Sequence, residues 1–194
     1  MNSLPRAGLQ SPSAFTLIEL LVVIAIIGAL AALIVGGAGH ARETSVRSRV
    51  QTELNQLVGA IESYHKKYGF YPPDNPKDVT LSPLYYELTG NGADASVASF
   101  FGVKGIVNEV SKGGQNFFPN LGAAGKAYKV LANPANAYAL VVSCKGPTDY
   151  NGPQGELNTW RYRSTNPTNN TETFDLWAEA VVGSKTILIP NWKE

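Results

Sequence analysis

The sequence is poor in the residues that most chemistry needs. Its one cysteine, Cys144, cannot close an intrachain disulfide and reads as a small buried hydrophobe. Its two histidines, His40 and His65, both fall in a helical stretch and read as surface residues. Charged residues make up 16%, below the usual level of about 25%. The 16 basic and 15 acidic residues nearly cancel, so the basic excess that nucleic acid demands is missing. A phosphate loop is hinted at by Gly122-Ala123-Ala124-Gly125-Lys126. It fails because Asn120 stands at the first glycine position and Ala127 at the Ser/Thr position. No internal repeat is apparent, and no nucleophile, base and acid stand together. Catalysis, cofactors and nucleic acid are therefore not expected.

What the chain does have is one long apolar run. From Phe15 to Gly39 the only charge is Glu19 and the only hydroxyl is Thr16. The run exceeds the roughly 20 residues that cross a bilayer as a helix. It is also far longer than the ~7–15-residue apolar core of a secretory signal. Residues 1–14, with two prolines and Arg6, cannot pack and read as a leader.

Beyond Gly39 the pattern turns amphipathic. Val46, Val50, Leu54, Leu57, Val58, Ile61, Tyr64 and Tyr68 recur at steps of three and four, with Arg47, Arg49, Glu53, Gln56, Glu62 and Lys66 between them. Gly69 and Pro72-Pro73 then form a helix stop. A helix from Phe15 to Tyr68 would run about 80 Å at ~1.5 Å per residue, with Gly36, Gly37 and Gly39 as its weak points. A short helix is expected over Leu81–Leu88 and another within Ser96–Val110. Strands are expected only after Pro134: Tyr138–Ser143, Thr159–Ser164, Thr173–Val181 and Lys185–Ile189. The last two are joined through a Val182-Gly183-Ser184 turn. The fold class is therefore α+β: a long N-terminal helix, transmembrane in its first half and amphipathic in its second, packed on a small antiparallel sheet.

A carboxylate inside an apolar helix needs a partner, and no Lys, Arg or His lies between Phe15 and Gly39. Cutting the chain between Ala14 and Phe15 would create an α-amine four residues before Glu19, on the same helix face.

The run Ala14-Phe15-Thr16-Leu17-Ile18-Glu19-Leu20-Leu21-Val22-Val23 resembles the cleavage and methylation motif of type IV prepilins and type II secretion pseudopilins. The resemblance implies leader removal between Ala14 and Phe15 by a membrane prepilin peptidase, N-methylation of Phe15, and a role for Glu19 in aligning subunits during assembly. Ala14 departs from the glycine usual there. Tyr68-Gly69-Phe70-Tyr71-Pro72 resembles the helix exit of the major pseudopilin. Trp160-Arg161-Tyr162-Arg163-Ser164, Phe174-Asp175-Leu176-Trp177 and Asn191-Trp192 resemble its late strands and ending.

The implied organisation is a leader (1–14), a membrane and assembly helix (15–39), an amphipathic continuation (40–68) and a globular domain (69–194) with a variable insertion (79–135). The implied partners are further copies of the chain, the peptidase and inner-membrane secretion or pilus machinery. The implied place is the bacterial inner membrane, with the domain periplasmic and later part of a filament. Arg42, Arg47 and Arg49 follow the apolar run and only Arg6 precedes it, so flanking charge alone gives the opposite orientation.

Major pseudopilins often bind calcium in a loop before the terminal Asn-Trp. Here residues 182–190 hold no carboxylate, while Asp149, Glu156 and Asp175 are scattered and read as solvated or capping, so no metal site is expected. Two alternatives stand beside the filament subunit. One is a pilin-like binding subunit whose insertion recognises an exported protein or surface ligand. The other is an anchored secreted protein cut at an ordinary signal, for which Ala29-Leu30-Ala31 would serve. The aromatic C-terminal region (Trp160, Tyr162, Phe174, Trp177, Trp192) reads as core where helix meets sheet.

Overall fold

Apolar spacing continues from the membrane-like run into the amphipathic stripe without a breaker, and the backbone follows it as one helix. In a computed structural model of the chain, described for residues 15–92, 95–119, 128–131, 137–147 and 158–193, α1 spans Leu17–Tyr68. The leader, Ala14, the Gly122–Lys126 stretch, Asp149 and Glu156 lie outside the described residues, as do the side chains of 33–38 and 128–131. The helix ends as its sequence requires. Gly69 adopts φ +80° and its N–H donates to the His65 carbonyl at 2.8 Å. By contacts the chain divides into two units, Met1–Ala41 and Arg42–Glu194, and each is taken by itself.

In the larger unit the helical stripe supplies one wall of the core. Val50, Leu54, Leu57, Ala60, Ile61 and Tyr64 are buried, with Val46, Val58 and Tyr68 partly so. The opposite wall is a three-stranded antiparallel sheet in the order β3 (Arg161–Arg163), β4 (Asp175–Val182), β5 (Lys185–Pro190). Alternation along β4 puts Leu176, Ala178 and Ala180 inward, and β5 adds Ile187 and Ile189. Val182 pairs with Lys185, leaving Gly183 and Ser184 as the turn, with Gly183 at φ +63°.

A second sheet pairs β1 (Tyr128–Leu131) with β2 (Ala137–Leu140). An isolated bridge between Val141 and Thr159 links the two sheets. It is flanked by bonds from Val142 N–H to the Asn158 carbonyl (2.7 Å) and from Trp160 N–H to the Leu140 carbonyl (3.1 Å).

Two details correct the expectations. The helix opens at Leu17 rather than Phe15. Strand β1 lies before Pro134, where no strand was expected. The helix expected within Ser96–Val110 is α3, Ala95–Phe100; a loop follows it and leads to a 3-10 turn over Val110–Lys112. The expected Leu81–Leu88 helix is α2, Leu84–Thr89, which ends at Gly90 in a left-handed conformation. A Cβ on Gly90 would come within 2.6 Å of Val110 Cγ2, so this position serves both the turn and the close approach.

The loops are tied down by buried polar groups. Asp74, 4% exposed, accepts bonds from the Ser164 and Thr165 N–H groups and the Thr165 hydroxyl. Asp175, 1% exposed, accepts from the N–H groups of Thr168, Asn169 and Asn170. Of the two roles expected for Asp175, capping holds and solvation does not. The aromatic residues divide likewise. Trp160, Tyr162 and Phe174 are core, while Trp177 and Trp192 are half-buried and meet edge to face at 5.7 Å. His40 is exposed, and His65 is half-buried, stacked on Tyr71 at 4.2 Å.

Candidate functional site: the head of the first helix

The first turns of a helix leave N–H groups without partners, and Thr16-x-x-Glu19 is a pattern that supplies them. The Thr16 carbonyl receives the Leu20 N–H at 3.3 Å, which makes Thr16 the N-cap. Its hydroxyl accepts from the Glu19 N–H at 3.3 Å. In return Glu19 Oε2 accepts the Thr16 N–H at 2.9 Å and the Thr16 hydroxyl at 2.8 Å. This is a capping box, with the carboxylate at the helix end where its charge also meets the positive end of the dipole. Glu19 thus has a partner within its own turn, before any cut has released the Phe15 amine. Thr16 was not singled out in the sequence, although its spacing from Glu19 carries the signal.

Around this turn nothing apolar is covered. Phe15 is 82% exposed, and every large apolar side chain from Leu17 to Leu30 is about half exposed or more. The expected membrane segment, Phe15–Gly39, begins two residues before α1 and continues within it, and its described side chains stop at Ala32 and resume at Gly39. Among the described residues no helix is long and apolar enough to cross a membrane. The same residues contain no cluster of three or more His, Cys, Asp or Glu that could hold a metal ion.

A second polar centre, which the sequence did not announce, lies in the larger unit. Glu87 on α2 is 0% exposed. Its carboxylate accepts from the Tyr64 hydroxyl (3.0 Å), the Val107 N–H (2.9 Å) and the Asn108 N–H (2.9 Å). Burial holds its carboxyl above the ordinary range, and the three donors pull the other way. Burial also raises the Tyr64 hydroxyl, with the Glu87 charge adding to it.

The long helix with a capped acidic head, its uncovered apolar face and the antiparallel sheet together have the character of a pilin-like protein. The family described as "Prokaryotic N-terminal methylation motif" matches residues 11–35, which include Ala14, Phe15, Thr16 and Glu19. Two relatives place the resemblance more closely. Fimbrial protein EcpC of Eikenella corrodens is 30% identical over 103 residues, covering 53% of this chain and 65% of that protein. Type II secretion system core protein G of Klebsiella pneumoniae is 38% identical over 64 residues, covering 33% of this chain and 46% of that protein. The chain therefore spans only part of the length of each. No solved structure gives a significant match.

Proposed function

We propose that the chain is the precursor of a structural subunit of a type II secretion pseudopilus, or of a closely related pilus-like filament, and that it supports protein export across the outer membrane. The observation that carries this reading is the head of α1: a capped Glu19 followed by an apolar surface that the chain itself leaves uncovered. Such a surface needs lipid before assembly and other helices after it.

In this reading residues 1–14 are removed between Ala14 and Phe15 by a prepilin peptidase, and the new Phe15 amine is methylated. The Glu19 carboxylate then has an oxygen, Oε1, that the capping box does not use, and it meets the amine of its own chain or of the preceding subunit. Residues 15–39 sit in the inner membrane with the leader cytoplasmic. Residues 40–194 lie on the periplasmic side and pass into the filament. Ala25, Gly28, Ala29, Ala31 and Ala32 allow helices to approach closely. Loss of Arg6 with the leader brings the 16 basic residues down by one, to match the 15 acidic ones, so net charge does not oppose stacking.

The similarity to a type II secretion core protein G, together with Asn191-Trp192, supports the pseudopilus reading, and the similarity to a fimbrial protein supports the related pilus-like filament. The test is the intact mass and N-terminal sequence of the protein from membranes of its own host. A start at N-methylated Phe15 is expected. A start near Ala32 would mean ordinary signal removal and would end the filament reading.

A further inference from the structure

Within the larger unit an open hollow of about 460 Å³ lies between α1 and the segments that flank β4 and β5. That volume falls in the range of small-ligand sites, roughly 300–1,000 Å³. One wall is a single face of α1, because Gln51, Leu54, Asn55, Val58 and Glu62 follow one another at steps of three and four. The other wall is built by Thr173, Phe174, Trp192 and Lys193. Leu54 and Phe174 are buried and form an apolar floor, whereas Asn55, Glu62 and Lys193 are exposed at the rim.

The walls are fixed before anything enters, which lowers the entropy lost on binding. Asn191 N–H donates to the Leu176 carbonyl at 2.9 Å and so anchors the backbone beside Trp192, whose ring meets Trp177 edge to face at 5.7 Å. Thr173 N–H donates to the Asn170 carbonyl at 2.9 Å, and the Asn170 side chain donates to the Phe174 carbonyl at 3.0 Å. On α1, Gln51 Nε2 donates to Asn55 Oδ1 at 3.2 Å. That bond leaves Gln51 Oε1 as an acceptor and Asn55 Nδ2 as a donor, neither with another partner among the described residues. The Thr173 hydroxyl and the Trp192 indole N–H are likewise without a partner among the described residues. Glu62 receives only the Tyr71 hydroxyl, at 3.5 Å on Oε1, and its Oε2 is left over.

These leftover groups select the kind of ligand. Glu62 and Lys193 make no ion pair among the described residues, and their charges cancel across the hollow. An anion would meet Glu62, and a cation would meet Lys193. A wholly apolar ligand would strip water from the Gln51 and Asn55 amides and return no hydrogen bond. A peptide strand would have to add to the edge strand β5, where Pro190 offers no N–H. A small neutral molecule with one apolar face, and with hydroxyls that both donate and accept, satisfies every group. We propose that the hollow binds a neutral sugar, a pyranose unit whose C–H face lies on Trp192 and the apolar floor while its hydroxyls meet Gln51, Asn55, Glu62 and Thr173. This goes beyond the filament reading and does not depend on it, because the hollow lies wholly in the larger unit, away from Glu19.

The test uses the full chain in lipid nanodiscs, with empty nanodiscs as the blank, titrated with cellobiose and read by saturation-transfer NMR. Saturable binding at about millimolar affinity is expected. Sorbitol, which has the hydroxyls but no ring face, should not bind. Asn55→Ala and Trp192→Ala should each weaken cellobiose binding by about fivefold or more. Asn55 is exposed on a helix, where alanine is favoured, so that variant should melt as the wild type does and keeps the test decisive if Trp192→Ala loosens the sheet. Glu19→Ala should leave binding intact, which separates this proposal from the assembly role. Cellotetraose binding no weaker than cellobiose would place the sugar within a longer glycan, and weaker binding would make it a free sugar; either supports the site. Absence of saturable binding, equal binding of sorbitol, or unchanged binding by Asn55→Ala would overturn it. So would tighter binding of tetra-alanine, since the hollow would then be a peptide site.

Discussion

The two ends of α1 are built from similar apolar residues and meet opposite fates. Ile18, Leu20 and Ile24 are 60% exposed or more, whereas Val50, Leu54 and Ile61 are 2% exposed or less. The lower stretch has apolar side chains all round, so one neighbouring sheet could not cover it, while the upper stretch confines them to a stripe that one sheet does cover. Two acids that have no cation beside them among the described residues, Glu19 on α1 and Glu87 on α2, are satisfied in different ways. Glu19 folds back on its own N-cap, a local device. Glu87 draws donors from α1 and from a loop about twenty residues on.

The difference can be broken most sharply at Glu19. Glu19→Ala is expected to abolish filament assembly while the melting temperature of the folded domain stays unchanged. Filaments counted by electron microscopy and thermal unfolding of the same preparation check both halves, and normal filaments would remove Glu19 from assembly.

The next largest effect belongs to Glu87. Glu87→Ala leaves the Tyr64 hydroxyl and two N–H groups without their acceptor, and at about 1–3 kcal/mol for each such group the domain should lose roughly 3 kcal/mol or more in denaturant unfolding. Its pH dependence has a definite sign. With the carboxyl held above its ordinary range, the folded state takes up the proton more readily than the unfolded chain. The stability from this shift is thus full below the ordinary carboxylate pKa and fades as pH rises through the raised one. Melting of the wild type relative to Glu87→Gln should therefore fall from acid toward neutral pH, and parallel pH profiles would contradict the raised value.

Asp175→Ala should cost about 2 kcal/mol, because the Thr168–Asn170 turn loses its acceptor, and faster amide exchange confined to residues 168–170 would show where. The smallest effect is expected for Thr16→Ala, about 1 kcal/mol of helix-end stability, visible as faster exchange in the first turn of α1 with no change in the melting of the domain.

These contrasts also explain what the sequence made legible. Periodicity from Val46 to Tyr68 specified the buried stripe, and Gly69 with Pro72 specified its end, because both signals are local. The β4–β5 hairpin was readable for the same reason: β-rich runs flank a Gly-Ser turn. Strand β1 was not, since Tyr128–Leu131 is short, set among Gly, Ala and Asn, and made a strand by its pairing with Ala137–Leu140. The Thr16–Glu19 box was written in the sequence at a spacing of three. Glu87 could not have been picked out, because the groups that satisfy it stand 20, 21 and 23 residues away.

Strand β5 lies at one edge of the three-stranded sheet, beginning at Lys185 and closing at Pro190. A lysine discourages an incoming strand and a proline has no N–H to offer one. Asn191 then doubles back on β4, its side chain accepting from the Leu176 N–H and donating to the Phe174 carbonyl, each at 2.9 Å. Crowded at high density, such domains are guarded along this edge against runaway cross-strand aggregation.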